Sequence, residues 1–339
     1  MLENPQFFRH SSEMDRDPLS SILSLIEARA VYAGGFSAGG DWAIRFPPPE
    51  KIKFFAIARG ACLLAVDGLG DPLQLAAGDV VLLSAAAPFT IASAEGISPI
   101  DACDLYTEGK RMASLGQGED FLFMGGHIDL GTASSRLLVD NLPLVIHLQS
   151  DDAGAGQLQW LIRELVQETM ESTPGADAAR TGLAHLMFLQ ILRGYLSRER
   201  GVDVGWLRAA CDPKLAPALL LMHGDPTRNW HLPELARAAA MSRTAFATYF
   251  KTVAGIAPLG YLAEWRMRLA ERKLQDGGQS VAMVAQSVGY ASEAAFSTAF
   301  KRIMGRSPRQ RTNNAGGLVN SRRARSDRQP NDGPTHPAG

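Results

Sequence analysis

Two stretches near the C-terminus, SRTAFATYFKTVAGIAP (242–258) and SEAAFSTAFKRIMGRSP (292–308), align without a gap at an offset of 50 residues. They share eight of 17 residues, including the bulky and conformationally special ones. The identical pairs are Ser242/Ser292, Ala245/Ala295, Phe246/Phe296, Thr248/Thr298, Phe250/Phe300, Lys251/Lys301, Gly255/Gly305 and Pro258/Pro308. A match of this kind indicates that one supersecondary unit is duplicated within the chain.

Each copy has the sequence pattern of a helix-turn-helix. In the first copy, LPELARAAA (232–240) predicts a short helix, and a brief turn leads to Ser242, whose hydroxyl can cap the next helix. In the second copy, Ser280 precedes the helical stretch VAMVAQSV (281–288), and GYA predicts the turn. Ser292 is then placed to cap the last helix of the pair, as Ser242 is in the first copy.

Helical periodicity divides the second helix of each copy into an inner and an outer face. The inner positions are apolar: Phe246, Phe250, Val253, Phe296, Phe300 and Ile303. The outer positions are Arg243, Thr244, Ala247, Thr248 and Lys251 in the first copy, and Glu293, Ala294, Ser297, Thr298 and Lys301 in the second. Small outward residues suit the major groove, while lysine and arginine neutralise phosphates. We therefore predict that these residues contact double-stranded DNA, with a connecting helix over 259–275 holding the units about one DNA turn apart.

The net charge of −1 conceals an uneven distribution along the chain. Residues 1–213 carry a net charge of −11, residues 214–312 carry +8 and residues 313–339 carry +2. An acidic body joined to a basic C-terminal block predicts that only the C-terminal block approaches a polyanion. A helical bundle with a solvated basic face is the plain alternative, which the duplication and the small outward residues disfavour.

Length and composition exclude several classes of protein. The 339 residues predict about two domains, and a hydrophobic fraction of 46% is ample for globular cores. No window holds 18 consecutive apolar residues, and the N-terminus lacks the pattern of a signal peptide. Cys62, Cys103 and Cys211 form no CxxC pair and are too few for a disulfide framework. We therefore expect a soluble, cytoplasmic protein without a membrane partner.

The N-terminal part has a different pattern. DPLSSILSLIEARA (17–30) predicts a helix capped by Asp17. Short apolar runs then alternate with glycine- and proline-rich breaks, among them the glycine pairs at 34–35 and 39–40. The runs, each a predicted strand, are WAIRF (42–46), IKFFAIA (52–58), CLLAV (62–66), LQL (73–75) and DVVLLS (79–84). This succession predicts a small β-barrel or sandwich.

Helices replace strands beyond this region. FLFMGGHIDL (121–130) predicts a strand, SSRLLVDNL (134–142) a short helix and residues 143–156 a linker. Two long helices are predicted over residues 157–170 and 178–199. The second is apolar around much of its girth, which fits burial against a second subunit or against the chain's own β-domain. The first of these interpretations predicts a homodimer.

Residues 235–274 and 280–308 together resemble the DNA-binding domain of the AraC/XylS transcriptional regulators in spacing, in the GY turn and in the FK and G-x-x-P positions. The resemblance implies a transcription factor with residues 244, 247, 248, 293, 294, 297 and 298 at the usual base-reading places. We expect such a factor to contact RNA polymerase. Thr248 and Thr298 stand where members often have arginine, which shifts readout towards methyl contacts and DNA shape. The final Pro308-Arg309-Gln310-Arg311 lacks the family's aromatic residue, which predicts a slightly altered last turn.

The N-terminal strands, with GDVVLLS (78–84) before a turn, resemble the cupin-like sensor domain of one branch of this family. That resemblance implies an unidentified small-molecule effector. Metal cupins use clustered histidine and glutamate ligands, but the sequence has no histidine between Val31 and Gly126. Phe55 and Phe89 stand where a metal cupin could place histidine, and His147 is isolated. We therefore predict no metal, no cofactor and no enzymatic activity.

The whole sequence predicts an α+β protein with four regions. These are a cupin-like ligand-sensing β-barrel (17–150), a helical dimerisation and linker region (151–213), an all-α DNA-binding domain with two helix-turn-helix units (214–312) and a disordered tail (313–339). The predicted function is a homodimeric, ligand-responsive, sequence-specific transcription regulator. Two alternatives stay open: a redox-sensing regulator that uses Cys62 or Cys103, and a cupin enzyme fused to a DNA-binding domain.

Overall fold

The computed structural model describes residues 17–309, except for residues 85, 107–110, 132–135, 153, 172 and 199–204. Within these residues the chain forms a β-rich N-terminal part, a pair of long helices packed on it and a helical C-terminal part. The α+β class predicted from the sequence is therefore confirmed. The predicted disordered tail, together with Gln310 and Arg311 of the final motif, lies outside the described residues.

The first helix, α1 (Pro18–Leu25), begins as the sequence predicts but ends earlier. The Asp17 carboxylate accepts a hydrogen bond from the Ser20 backbone N–H at 2.9 Å, which caps the helix. The chain then turns at Glu27, whose φ is +50°. The prediction of a helix through residue 30 is wrong, because the residues from Arg29 onwards alternate in burial and pair as a strand.

The N-terminal part contains two mixed sheets. Their strands are β1 (Arg29–Ala38), β2 (Ala43–Phe46), β3 (Ile52–Arg59), β4 (Ala61–Val66), β5 (Leu73–Ala76), β6 (Val80–Leu83), β7 (Phe89–Ala92), β8 (Ile100–Asp101), β9 (Met112–Leu115), β10 (Phe121–Asp129) and β11 (Val145–Leu148). In the described part of the chain, one sheet has the order β11-β6-β3-β10-β1-β9 and the other β5-β4-β7-β2-β8. Short helices lie at α2 (Ala102–Leu105) and α3 (Arg136–Val139). The predicted strands over 42–84 and 121–130, and the short helix within 134–142, are confirmed.

Two predicted breaks are strands instead. The glycine pair at 34–35 lies inside β1, where the strand is bulged between Tyr32 and Gly34. A Cβ atom added at Gly35 would lie 2.0 Å from the Phe123 carbonyl oxygen, so glycine there permits close approach of β10. The predicted linker over 143–156 contains β11, which pairs antiparallel with β6. The residues of β11 alternate in burial because the strand pairs with β6, which is distant in the sequence. No local sequence pattern indicates this pairing.

The space between the two sheets is filled by side chains. The aromatic residues there are Phe36, Trp42, Phe46, Phe55, Phe89, Phe121 and Phe123, all buried. Phe46 stacks on Phe89 with ring centroids 4.6 Å apart, and Phe36 stacks on Phe123 at 5.0 Å. Packed rings of this kind make the barrel interior a core rather than an open cavity.

Two long helices cover the outer face of the larger sheet. They are α4 (Ala155–Met170) and α5 (Ala176–Ser197), which pack on each other. Phe188 and Ile191 of α5 belong to the same buried cluster as Phe54 and Leu82 of the sheet. The apolar girth of α5 is therefore used within the chain, and a second subunit is not needed to explain it.

The C-terminal part consists of helices in the described residues. They are α6 (Trp206–Cys211), α7 (Ala216–Gly224), α8 (Leu232–Ala238), α9 (Arg243–Ala254), α10 (Pro258–Asp276), α11 (Val281–Ser287) and α12 (Glu293–Met304). The pairs α8–α9 and α11–α12 are the two predicted helix-turn-helix units, and α10 is the predicted connecting helix. Among the residues that the structure describes, no helix combines the length and apolarity needed to cross a membrane.

The first helix-turn-helix unit is joined to the N-terminal part by packing and polar contacts. Trp206 of α6 stacks on Tyr261 of α10 with ring centroids 3.9 Å apart, inside a cluster that continues to the β-sheet. Arg272 of α10 donates to the Ser24 carbonyl oxygen at 3.0 Å and pairs with the Glu27 carboxylate at 3.0 Å. The second unit has a separate core with α10, containing residues such as Phe296 and Phe300.

Candidate nucleic-acid interface

The second helix of each unit begins at a serine cap. The Ser242 hydroxyl accepts a hydrogen bond from the Ala245 backbone N–H at 3.2 Å, and the Ser292 hydroxyl accepts from the Ala295 N–H at 3.2 Å. Each cap satisfies a backbone donor that the first helical turn leaves free. Both predicted caps are confirmed, so α9 and α12 start at equivalent points of the repeat.

The turns of the two units differ in length by one residue. The residue with left-handed backbone geometry is Ala240 in the first unit, with φ of +52°, and Gly289 in the second, with φ of +84°. Only Met241 lies between Ala240 and the cap residue Ser242, whereas Tyr290 and Ala291 lie between Gly289 and the cap residue Ser292. The first helices are therefore offset by 49 residues, although the second helices are offset by 50. The gap-free alignment of 242–258 with 292–308 does not extend through the turns.

The inner faces of α9 and α12 form the cores of the units. Phe246, Phe250, Phe296 and Phe300 are fully buried, and Ile303 is half-buried. Within each unit the two phenylalanine rings contact each other, with centroids 5.5–5.6 Å apart. This burial fixes the rotation of each helix and therefore determines which side chains point to solvent.

The outer faces carry the residues predicted to contact DNA. Exposed residues are Arg243, Thr244, Thr248, Lys251, Ala294, Thr298 and Lys301, while Ala247, Ser297 and Glu293 are half-buried. The structure thus brings each predicted set to one surface of its helix. Each surface combines small side chains with a lysine, so it can approach the floor of a groove while the lysine meets a phosphate.

Intrahelical hydrogen bonds determine what some of these side chains can offer. The Thr298 hydroxyl donates to the Ala294 carbonyl oxygen at 3.0 Å, which consumes its proton. Thr298 can therefore present its methyl group to the thymine methyl, as the absence of arginine at this position predicts. In the first unit the bond of this kind lies one turn later, where the Thr252 hydroxyl donates to the Thr248 carbonyl oxygen at 3.0 Å.

Sequence reasoning missed two basic residues at this surface. Arg309 pairs with Glu293 at 3.0 Å, although the two are 16 residues apart in the chain. Arg302 is exposed on α12 next to Lys301. Helical periodicity could have identified Arg302, whereas the fold of the residues after α12 determines the position of Arg309.

A buried aromatic cluster supports the first unit from behind. The His223 ring of α7 stacks on Trp265 with centroids 3.9 Å apart, and its Nε2 shares a hydrogen bond of 2.9 Å with the Tyr261 hydroxyl. Burial lowers the pKa of His223 to about 3, so the imidazole is neutral at physiological pH. This cluster packs α7 against α10.

The β-rich part has no metal centre among the residues that are described. Phe55 and Phe89 are buried in the aromatic core, and the described residues contain no group of three or more potential His, Cys, Asp or Glu ligands. His147, isolated in the sequence, is hydrogen-bonded to the buried Asp79 carboxylate at 2.9 Å. Outside the barrel core, a surface cleft of about 570 Å³ is bordered by Cys62, Gln74, Asp79, Ser93, Gln149 and Ser150, among others.

Comparisons with known proteins agree with this architecture. Residues 17–197 match a cupin family and residues 235–314 match a helix-turn-helix domain family. The chain is 39% identical over 293 residues to a Streptomyces lividans protein described as an AraC-like transcription regulator, covering 86% of this chain and 96% of that protein. It is 28% identical over 304 residues to the HTH-type transcriptional regulator AlkR of Acinetobacter baylyi, covering 86% and 98%. The solved DNA-binding domain of AdpA in complex with a target DNA is 32% identical, covers 29% of this chain and 87% of that one, and has a TM-score of 0.27.

The two family matches together cover residues 17–197 and 235–314. The cupin match covers more than half of the chain and includes α4 and α5, and the helix-turn-helix match begins within α8 and covers the rest of both duplicated units. The relatives that align along nearly their whole length are transcription regulators rather than enzymes. The chain therefore belongs to the AraC-type family of DNA-binding transcriptional regulators.

Proposed function

We propose that the protein binds operator DNA sequence-specifically through the outer faces of α9 and α12, which enter successive major-groove segments. The observation that carries this proposal is the duplicated, serine-capped helix whose buried phenylalanines turn small and basic side chains outwards. Such helices read base edges near their N-termini and hold phosphates through flanking cations. At a promoter, in the cytoplasm, this binding regulates transcription together with RNA polymerase.

The N-terminal cupin domain is the proposed sensor of a small molecule. The packed aromatic rings leave the barrel interior closed, so the surface cleft beside Cys62 and Asp79 is the better candidate for the effector site. Its border contains amide, hydroxyl and carboxylate groups, which suits a small polar molecule. The proposal fails if a saturating effector changes neither operator affinity nor transcription.

Contacts of the linker segment around α6 with α9 and α10 support a route for the response. The Trp206 indole N–H donates to the Glu264 carboxylate at 3.2 Å, and the Tyr249 hydroxyl donates to the Asp212 carboxylate at 2.6 Å. Tyr249 is on α9 itself, so a displacement of the linker segment at Asp212 acts directly on a helix proposed to read DNA. An effector that favours one arrangement of these contacts would thereby change operator binding.

We also propose that a second copy of the chain packs on the outer face of α4 and α5. Trp160 of α4 is 47% exposed and Leu186 of α5 is 45% exposed, and both lie on the helices that an isologous dimer would bury. Self-association of two copies on this face would remove both apolar side chains from water. W160S and L186S should shift the protein from dimer to monomer in sedimentation experiments, whereas I100S, at another exposed apolar residue, should not.

The thiol-based alternative has less support from the described residues. Burial, together with the nearby negative charge of Asp79, raises the pKa of the Cys62 thiol to about 12. A hydrogen bond to Asp101 and the negative charge of that carboxylate raise the pKa of the exposed Cys103 thiol. A redox sensor needs a readily formed thiolate, so both environments oppose this role.

The experiment that tests the main proposal measures binding of the purified protein to its own upstream intergenic DNA across a salt series. Scrambled DNA of equal length is the control. Tight, sequence-selective binding supports the proposal, because base contacts distinguish the two DNAs. A steep salt slope supports it as well, because lysine and arginine contacts with phosphates release counterions. Equal affinity for both DNAs at every salt concentration contradicts it.

A further inference from the structure

Glu293 is the acidic member of the set predicted to contact DNA. It is the first residue of α12, directly after the Ser292 cap. The helix macrodipole favours a carboxylate at this end, but the DNA phosphates repel it. A carboxylate on a groove-facing surface is therefore favoured where the DNA supplies a hydrogen-bond donor.

The structure holds this carboxylate in a defined position. The Glu293 Oε1 atom accepts from Nη2 of Arg309 at 3.0 Å, and the Glu293 side chain is 39% exposed. The other oxygen, Oε2, has no hydrogen-bond partner within the described residues. Arg309 thus compensates part of the negative charge and leaves one carboxylate oxygen available to a partner outside the protein.

The major-groove edges of the bases differ in the donors they present. Cytosine presents its N4 amino group without an adjacent acceptor, whereas the adenine amino group stands beside the acceptor N7. Guanine and thymine present acceptors, which repel a carboxylate oxygen. The free oxygen of a carboxylate therefore matches cytosine best.

We propose that Glu293, positioned by Arg309, reads a cytosine in the DNA segment bound by the second unit. This inference rests on the proposed function of α12 as a base-reading helix. The equivalent residue of the first unit is Arg243, which is exposed and has no ion pair among the described residues. Arg243 donates hydrogen bonds, so the two copies of one scaffold recognise opposite chemistry.

The test selects DNA from a library of duplexes with a randomised central segment, using the full chain and its variants. The wild type should enrich a motif with one position occupied by cytosine. E293A should relax that position by roughly tenfold in relative affinity and leave the others unchanged. E293Q should shift the same position towards adenine, since a glutamine amide pairs with adenine N6 and N7.

Two further variants separate base reading from general effects. R302A removes an exposed cation of the same helix, so affinity should fall evenly across sequences with no change of motif. R309Q should weaken the cytosine preference although Glu293 is intact, which a purely structural or phosphate-binding role would not do. Thermal unfolding of each variant checks that the fold is retained.

The outcomes distinguish the inference from the function on which it rests. A wild-type motif that E293A reproduces at every position overturns the inference and leaves sequence-specific binding intact. A wild type that enriches no motif overturns the proposed function and the inference together. A cytosine preference that R309Q retains in full overturns the positioning role of Arg309.

Discussion

The two helix-turn-helix units share a sequence plan but differ in their surroundings. Phe246 and Phe250 of the first unit belong to a hydrophobic cluster that continues through α6 and α7 to the β-sheet. Phe296 and Phe300 of the second unit pack in a smaller cluster with α10. Duplication of a local sequence has therefore produced one unit anchored to the N-terminal cupin domain and one unit attached mainly through a connecting helix.

The largest effects should come from truncation of the equivalent core phenylalanines. F300A should cost about 3–5 kcal/mol of local stability and unfold the second unit alone, because its core is separate. F250A should carry a similar cost but loosen the contact between the first unit and the linker as well. Hydrogen exchange resolved by segment measures both.

F300A and F250A together also test whether the core of the second unit is separate from the core of the first. If F300A increases exchange in α4 and α5 as strongly as F250A does, the second core is not separate from the rest. Both variants should lose operator affinity, so DNA binding alone does not separate them.

The turn of the second unit should be the next most sensitive place. G289A places a side chain at a φ of +84° and brings its Cβ to 2.6 Å from the Thr227 carbonyl oxygen, at an expected cost of about 2–4 kcal/mol. G305A is the matched control, because its φ is +73° but its Cβ would meet nothing within 4 Å. Urea unfolding of both measures the difference, and equal losses would show that the contact with Thr227 is unimportant.

Acid should affect the anchored unit through His223. Burial lowers its folded-state pKa to about 3 from the ordinary 6.5, so the unfolded chain binds the additional proton as the pH falls below 6.5. Stability should therefore be complete above pH 6.5 and fall by about 2 kcal/mol by pH 5. H223F cannot titrate and should lose this slope, as measured by urea unfolding at each pH. An unchanged slope in H223F would assign the acid sensitivity to other groups.

The smallest effect should come from the turn of the first unit. Ala240 has a φ of +52°, which costs an alanine about 1–2 kcal/mol relative to glycine. A240G relieves this strain but increases the freedom of the unfolded chain, so a net gain of about 0.5 kcal/mol is expected. Thermal unfolding measures it, and a loss of stability in A240G would mean that the alanine methyl makes a useful contact.

Local patterns predicted much of the interface. The serine caps, the buried phenylalanines and the outward set on α9 and α12 follow from helical periodicity and short-range capping. The strands over 42–84 follow from apolar runs between turn residues. The continuation of β1 through the glycine pair at 34–35 and the strand β11 were missed, because pairing with distant strands decides both.

The dimer prediction illustrates the limit of a helical pattern. The sequence of α5 is apolar around much of its girth. This pattern fits burial against a second subunit and burial against the chain's own sheet equally well. The structure uses it on the sheet, with Phe188 and Ile191 buried there. Homodimerisation and the predicted domain boundaries stay predictions.

The sequence by itself determined the duplication, the helix caps and the direction in which each side chain of α9 and α12 points. These features depend on residues within one or two helical turns of each other, where spacing is a sufficient guide. Only the tertiary structure decided that aromatic rings fill the barrel, that Arg272 meets Glu27 and that Arg309 meets Glu293. Those contacts join residues far apart in the chain or beyond a helix end, and their geometry exists only once the whole core has packed.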